Sequence, residues 1–318
     1  MIGAESVLDG VRAGRRRAVA RAITLVESLG PEGRRVTAEL HPRAGRAVRV
    51  GVTGPPGVGK STLIGALTGH LRRQGRTVAI VSVDPSSPFT HGAVLGDRIR
   101  LTEHFLDPGV FIRSMASRGH LGGLAEATSD AVLVLDAAGF DVILVETVGS
   151  GQNEIEVQAL AETVLLVLMP GAGDAIQAIK AGLMEIPDVV VVNKADRPGA
   201  DLTRSEISAA LTLVPAGDRE VPVVSAQAVD GAGVAEVWAE VEAHRAYLAE
   251  GGRMEARRRD GLRRRIRALA LDRLARRVDA AADDAFLDGL AGDVLSGAVD
   301  PATAVDRLLA RVGGARPD

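Results

Sequence analysis

VRVGVTGPPGVGKST, residues 48–62, decides the fold of this 318-residue chain. Its first half is a short Val-rich run. Its second half fits G-x-x-x-x-G-K-[ST] from Gly54 to Ser61, and a helical segment, Thr62–Arg73, follows. A buried strand turning through glycines into a helix is the P-loop pattern. Its backbone N–H groups point inward around phosphates, and the helix N-terminus adds its positive end. In such a loop Lys60 reaches the β- and γ-phosphates and the Ser61 hydroxyl is a Mg²⁺ ligand. Gly54, Pro55, Pro56, Gly57, Val58, Gly59, Lys60, Ser61 and Thr62 are therefore the expected phosphate-binding residues.

Outward from this tract the strand-like pattern repeats. TVAIVSVDP (77–85), GVFIRSM (109–115), DVILVETVG (141–149), TVLLVLMPG (163–171), DVVVVNKAD (188–196) and VPVVSAQ (221–227) are nearly continuous Val, Ile and Leu. Strands buried on both faces read this way. Their alternation with helical segments predicts βαβ crossovers and a doubly wound, mostly parallel α/β sheet over residues 46–250. Polar residues gather where the runs end, and open sheets bind ligands at that carboxyl edge. Residues 1–45 read as a helical extension, with an amphipathic helix from Leu8 to Leu29 stopped by Gly30-Pro31. Residues 251–318 read as a helical arm. It holds the basic segment Arg253–Val278, the acidic stretch Asp279–Asp293 and a last helix near Ala302–Val312. The basic segment carries no interleaved aromatics, so it is expected to pack on the core or on a second copy rather than on nucleic acid.

Composition narrows the field. A net charge of −3 gives no reason to expect nucleic acid or an anionic membrane as main partner. The absence of cysteine excludes disulfides, zinc–thiolate sites and thiol nucleophiles. No apolar core of signal-peptide type opens the chain, and no run spans a membrane, so a soluble, cytoplasmic protein is expected. Of the 38 basic residues only Lys60, Lys180 and Lys194 are lysine. Two of the three fall inside nucleotide motifs, where a compact ammonium is not replaceable by arginine's planar fork.

Asn193-Lys194-Ala195-Asp196 follows the run DVVVV. An aspartate there accepts hydrogen bonds from the guanine N1–H and exocyclic amine, which adenine does not offer. Asn193 would hold the loop and the Lys194 stem would cover the base. Ser225, Ala226 and Gln227 close the next run, where a backbone N–H can meet guanine O6; for Ser225 an ordinary strand-end cap is the alternative. Glu146 and Gly149 form E-x-x-G where many GTPases have D-x-x-G. The carboxylate holds Mg²⁺ through water, and the Gly149 N–H faces the γ-phosphate. Asp84 and Asp97 are further candidate Mg²⁺ partners, with a turn aspartate and a helix cap as alternatives. His91 and His120 are read as ordinary loop histidines. Ser150 stands where Ras-type proteins place the glutamine that orients water, so unaided hydrolysis is expected to be slow.

Taken together these residues resemble the MeaB/ArgK family, whose members are GTPase chaperones of adenosylcobalamin-dependent methylmalonyl-CoA mutase. The resemblance rests on ITLVES (23–28), GVTGPPGVGKSTL (51–63), VDPSSP (83–88), LGDRIRL (95–101), FIRSMASRGHLGGLA (111–125), ETVGSGQNE (146–154), PGAGDAIQAIKAGLMEIPD (170–188) and NKAD (193–196). It implies GTP/GDP and Mg²⁺ as cofactors, with Asp84, Asp97 and Glu146 joining Ser61 around the metal. It also implies that residues 169–180, with Asp174 and Lys180, form a switch facing the mutase, and that the arm makes a homodimer. The chain departs from the family pattern at Thr90–Val94 and at Ser150 and Asn153, all in switch loops. Two alternatives compete. A nickel-type metallochaperone GTPase would need a Cys- or His-rich cluster, and the six histidines are scattered. A kinase linked to amino-acid transport would need an acceptor site, whereas NKAD reads guanine.

Overall fold

The structure, a computed structural model, describes residues 4–85, 98–117, 123–147, 153–171, 187–213 and 219–314. The strands are β1 (Val48–Thr53), β2 (Val78–Pro85), β3 (Val110–Ser117), β4 (Val142–Thr147), β5 (Thr163–Leu168), β6 (Val189–Val192) and β7 (Val223–Ser225). They form one seven-stranded sheet in the order β3-β2-β4-β1-β5-β6-β7. All pairings between these strands are parallel, so the sheet expected to be mostly parallel is wholly so. Each strand falls on one of the apolar runs, with β3 continuing two residues past its run to Ser117.

Among the described residues eight helices accompany the sheet: α1 (Ala4–Arg12), α2 (Arg16–Glu27), α3 (Pro31–Leu40), α4 (Lys60–Arg73), α5 (Gly123–Ala137), α6 (Asn153–Leu160), α7 (Ala200–Leu211) and α8 (Val234–Ala249). Val50, Val52, Ile80, Leu144, Val167 and Val191 point to one face, where α4 and α8 bring Leu63, Leu67, Val237 and Trp238. The alternate residues Ala79, Val81, Ile143 and Val145 meet α2 and α5 on the other face. Leu166, Leu168, Val190 and Val192 meet Ile207 of α7 there. Burial on both faces is why the strands carry no polar alternation. β1 lies between β4 and β5, so the winding reverses at its carboxyl end and opens a crevice there.

At the amino end the expected helix from Leu8 to Leu29 is two helices, α1 and α2, separated by a turn in which Gly14 has φ 65°. Pro31 does more than stop α2: it opens α3, where its missing N–H leaves no helical acceptor unmet. Val7, Val19, Ile23, Val36 and Leu40 share a single hydrophobic cluster with the sheet, so this extension covers part of one sheet face. The Asp136 carboxylate on α5 accepts the N–H groups of Gly45, Arg46 and Ala47 at 2.6, 3.0 and 3.0 Å, which fixes the entry into β1.

Beyond the sheet come α9 (Arg253–Ala281), α10 (Asp284–Leu295) and α11 (Pro301–Gly314). The basic helix α9 lies on α5 and α6 and is held by arginine–carboxylate pairs. Arg257 meets Asp188 at 2.5 Å, Arg258 meets Glu162 at 2.6 Å, Arg265 meets Asp130 at 2.5 Å and Arg276 meets Glu126 at 3.0 Å. Burial pushes the Asp130 and Asp188 carboxyls up despite the opposing pull of Arg265 and Arg257. His244 of α8 sits between core and arm. Its Nε2 is 3.3 Å from Asp188 and its Nδ1 is 2.9 Å from the Thr163 hydroxyl. Burial first, then the charges of Arg257 and Arg219, hold its pKa down to about 3, so the ring stays neutral.

Candidate nucleotide site

The loop from Gly54 to Gly59 leaves β1 at the point where the winding reverses. Gly54 has φ 140° and Gly59 has φ 97°, both in the region that favours glycine. A Cβ at Gly54 would sit on the Val167 carbonyl oxygen, and one at Gly59 would collide with the Asn193 amide. The glycine spacing therefore serves both the turn and the close approach of neighbouring strands. No side chain caps α4 at Gly59, and a helix N-terminus of this kind presents first-turn N–H groups that suit an anion.

Lys60 and Ser61 open α4 and are 7% and 4% exposed. The Lys60 ammonium donates to the carbonyls of Gly54 at 2.7 Å and Pro55 at 2.9 Å, lying along the inside of the loop. The Ser61 hydroxyl donates to Glu146 Oε1 at 2.7 Å, which brings together two of the four expected metal-site residues. On the opposite sheet face the hydroxyls of Thr147 and Thr53, the last residues of β4 and β1, pair at 3.1 Å.

The N-K-x-D loop clasps the glycine loop from the other side. Asn193 is buried; its amide donates to the Val58 carbonyl at 2.9 Å and its oxygen accepts the Ala228 N–H at 3.1 Å. Lys194 has φ 57°, a left-handed conformation rare outside glycine, and its ammonium donates to the Gly57 carbonyl at 2.7 Å. Pro56, Gly57 and Asp196 are exposed, and Pro55 and Thr62 are half-buried.

Ala226 N–H donates to Val192 at 2.9 Å and Gln227 N–H to Ala232 at 2.8 Å, while Ser225 is the last strand residue. A guanine O6 would have to share one of these donors, because the strand end uses them to join β6 and the following turn. Asp84 is the penultimate residue of β2, in register with Ala116, its side chain outside the described residues. Asp97, Gly149, Asp174 and Lys180 also lie outside them. Ser82, which the sequence did not single out, is brought against Glu146.

β6 stands one strand beyond β1's neighbour β5, which sets the Asn193–Asp196 loop beside the glycine loop at the winding reversal. Fold and loop pairing together define a P-loop GTPase. Residues 19–283 match the family model described as Methylmalonyl Co-A mutase-associated GTPase MeaB, and the chain belongs to that family. It is 44% identical over 314 residues to a protein of Pyrococcus horikoshii that carries a GTPase name, covering 98% of each. It is 37% identical over 254 residues to GTPase ArgK of Escherichia coli, covering 77% of each. It is 35% identical to the mitochondrial methylmalonic aciduria type A homolog of Caenorhabditis elegans, over 82% of this chain and 70% of that one. A crystal structure titled LAO/AO transport system kinase superposes with a TM-score of 0.74 at 28% identity, over 98% of this chain and 97% of that one. Among the described residues no helix is long and apolar enough to cross a membrane.

Proposed function

We propose that this GTPase is a cytoplasmic chaperone that gates adenosylcobalamin loading into methylmalonyl-CoA mutase and protects the mutase, with GTP hydrolysis as its clock. The observation that carries the reading is the family match over residues 19–283, joined to a glycine loop and N-K-x-D loop locked together by Asn193 and Lys194. The name of the nematode relative supports the same partner.

In this mechanism the N–H groups of residues 57–62 cradle the phosphates and the Lys60 ammonium turns from its loop carbonyls to the β- and γ-phosphate oxygens. Asp196 selects guanine by accepting its N1–H and amine, while Asn193 and Lys194 keep that loop in place. Ser61 and Glu146 offer a hydroxyl and a carboxylate, the hard oxygen donors that suit Mg²⁺, and Asp84 and Asp97 complete the set. Mg²⁺ there would neutralise charge on the phosphate oxygens. Gly149 N–H faces the γ-phosphate. With Ser150 in place of a water-orienting glutamine, turnover alone is slow, about 10⁻⁴ to 10⁻² s⁻¹. The segment 169–180, with Asp174 and Lys180, meets the mutase, and a second copy binds along the arm, where Ile266, Leu271 and Leu274 are 66%, 59% and 52% exposed.

Co-precipitation tests the partner. A cobalamin-dependent mutase should be retained by the immobilised protein, with retention that differs between GDP and a non-hydrolysable GTP analogue. Retention of no mutase under either nucleotide would remove the reading.

A further inference from the structure

Ser82 lies on β2 directly opposite Glu146 in the parallel β2–β4 register. It shares a sheet face with Ile80 and Leu144, turned toward α4. Register partners on one face of adjacent strands stand close enough to touch. The Ser82 hydroxyl donates to Glu146 Oε2 at 3.3 Å, while Ser61 donates to Oε1 at 2.7 Å. Two serines, one from the sheet and one from the helix, thus hold the two oxygens of one carboxylate. Ser82 is 3% and Glu146 5% exposed, so water does not compete for these bonds.

The chemistry gives this grip a purpose. A glutamate carries one more rotatable bond than the aspartate many GTPases use in this sequence position, so its carboxylate has more orientations to lose. A hydroxyl rigidly mounted on the next strand selects one of them. We propose that Ser82 is a positioning residue that fixes the Glu146 carboxylate and thereby sets the affinity of the nucleotide site for Mg²⁺. The proposal rests on the reading of Glu146 as a metal-site carboxylate.

The experiment follows dissociation of a fluorescent GDP analogue across a Mg²⁺ titration and in EDTA, with steady-state GTP turnover beside it, for wild type, S82A, S82T, S82C and E146A. S82A should bind GDP like wild type in EDTA and need about three- to tenfold more Mg²⁺ to slow dissociation by half. Its kcat should fall with little change in KM. S82T, which keeps the hydroxyl, should restore the midpoint. S82C keeps the volume and weakens the hydrogen bond, so it reads the same midpoint if S82A folds poorly. A wild-type midpoint in both S82A and S82C overturns the inference, as does an equal loss of GDP affinity with and without Mg²⁺. If E146A also leaves the midpoint unmoved, the metal reading of Glu146 has failed. If E146A moves it and the Ser82 variants do not, only this inference has.

Discussion

Asp196 stands exposed at the outer side of the N-K-x-D loop, while Asn193 and Lys194 are committed to holding that loop against the glycine loop. On the proposed reading, selectivity and scaffolding are separated within four residues. Asp196→Asn should weaken GTP binding by at least about tenfold and raise relative affinity for xanthosine triphosphate, whose 2-oxo group accepts from the new amide. Competition titration with the two nucleotides checks this, and equal ATP and GTP affinity in the wild type would refute the assignment. Gly59→Ala acts on the scaffold instead. A left-handed backbone and a collision with Asn193 should cost about 2 kcal/mol or more and weaken GDP and GTP alike. Calorimetric titration with both nucleotides reads that out. The glycine loop with Lys60 and Ser61 at the start of α4 was legible in the sequence because a strand turning through glycines into a helix demands fixed residue types at fixed spacing. Ser82 was not, since a serine inside an apolar run looks like any strand position until the β2–β4 register sets it beside Glu146.

The strands were legible for a different reason: burial on both faces writes them as unbroken Val and Ile. The arm's placement was not, because its partners are remote in sequence; Arg258 and Glu162 are 96 residues apart. Nor does an arginine run announce which of its members meet buried carboxylates. Arg258→Ala should destabilise the fold by about 2 kcal/mol, less than for a fully buried pair because Arg49 still meets Glu162 at 3.0 Å. Urea unfolding measures it. His244 makes the junction of core and arm sensitive to acid. Its folded pKa is about 3 against an ordinary value of 6.5, so between those values the unfolded chain binds more protons. Stability is fully present above pH 6.5 and falls as the pH drops below it, by up to about 1.4 kcal/mol per unit. Urea midpoints from pH 7.5 to 5 should show this slope, and His244→Asn should flatten it. An equal slope in the variant would assign the acid sensitivity elsewhere.

At the scale of the whole molecule, the candidate nucleotide site lies at the carboxyl edge of the sheet, and the arm is pinned to α5 and α6. In the proposed assembly, Ile266→Glu should lower the sedimentation coefficient from dimer to monomer while leaving GTP affinity unchanged; an unchanged coefficient would place the dimer contact elsewhere. Lys180→Ala should leave intrinsic turnover nearly unchanged and abolish its stimulation by the partner. The measurement that bears most directly on the central claim is single-turnover GTP hydrolysis by the purified protein, alone and with an adenosylcobalamin-dependent methylmalonyl-CoA mutase at saturating concentration. The account predicts slow hydrolysis of GTP and not ATP by the protein alone, accelerated at least about tenfold by the mutase. The same slow rate with and without a mutase shown to fold and turn over would contradict it.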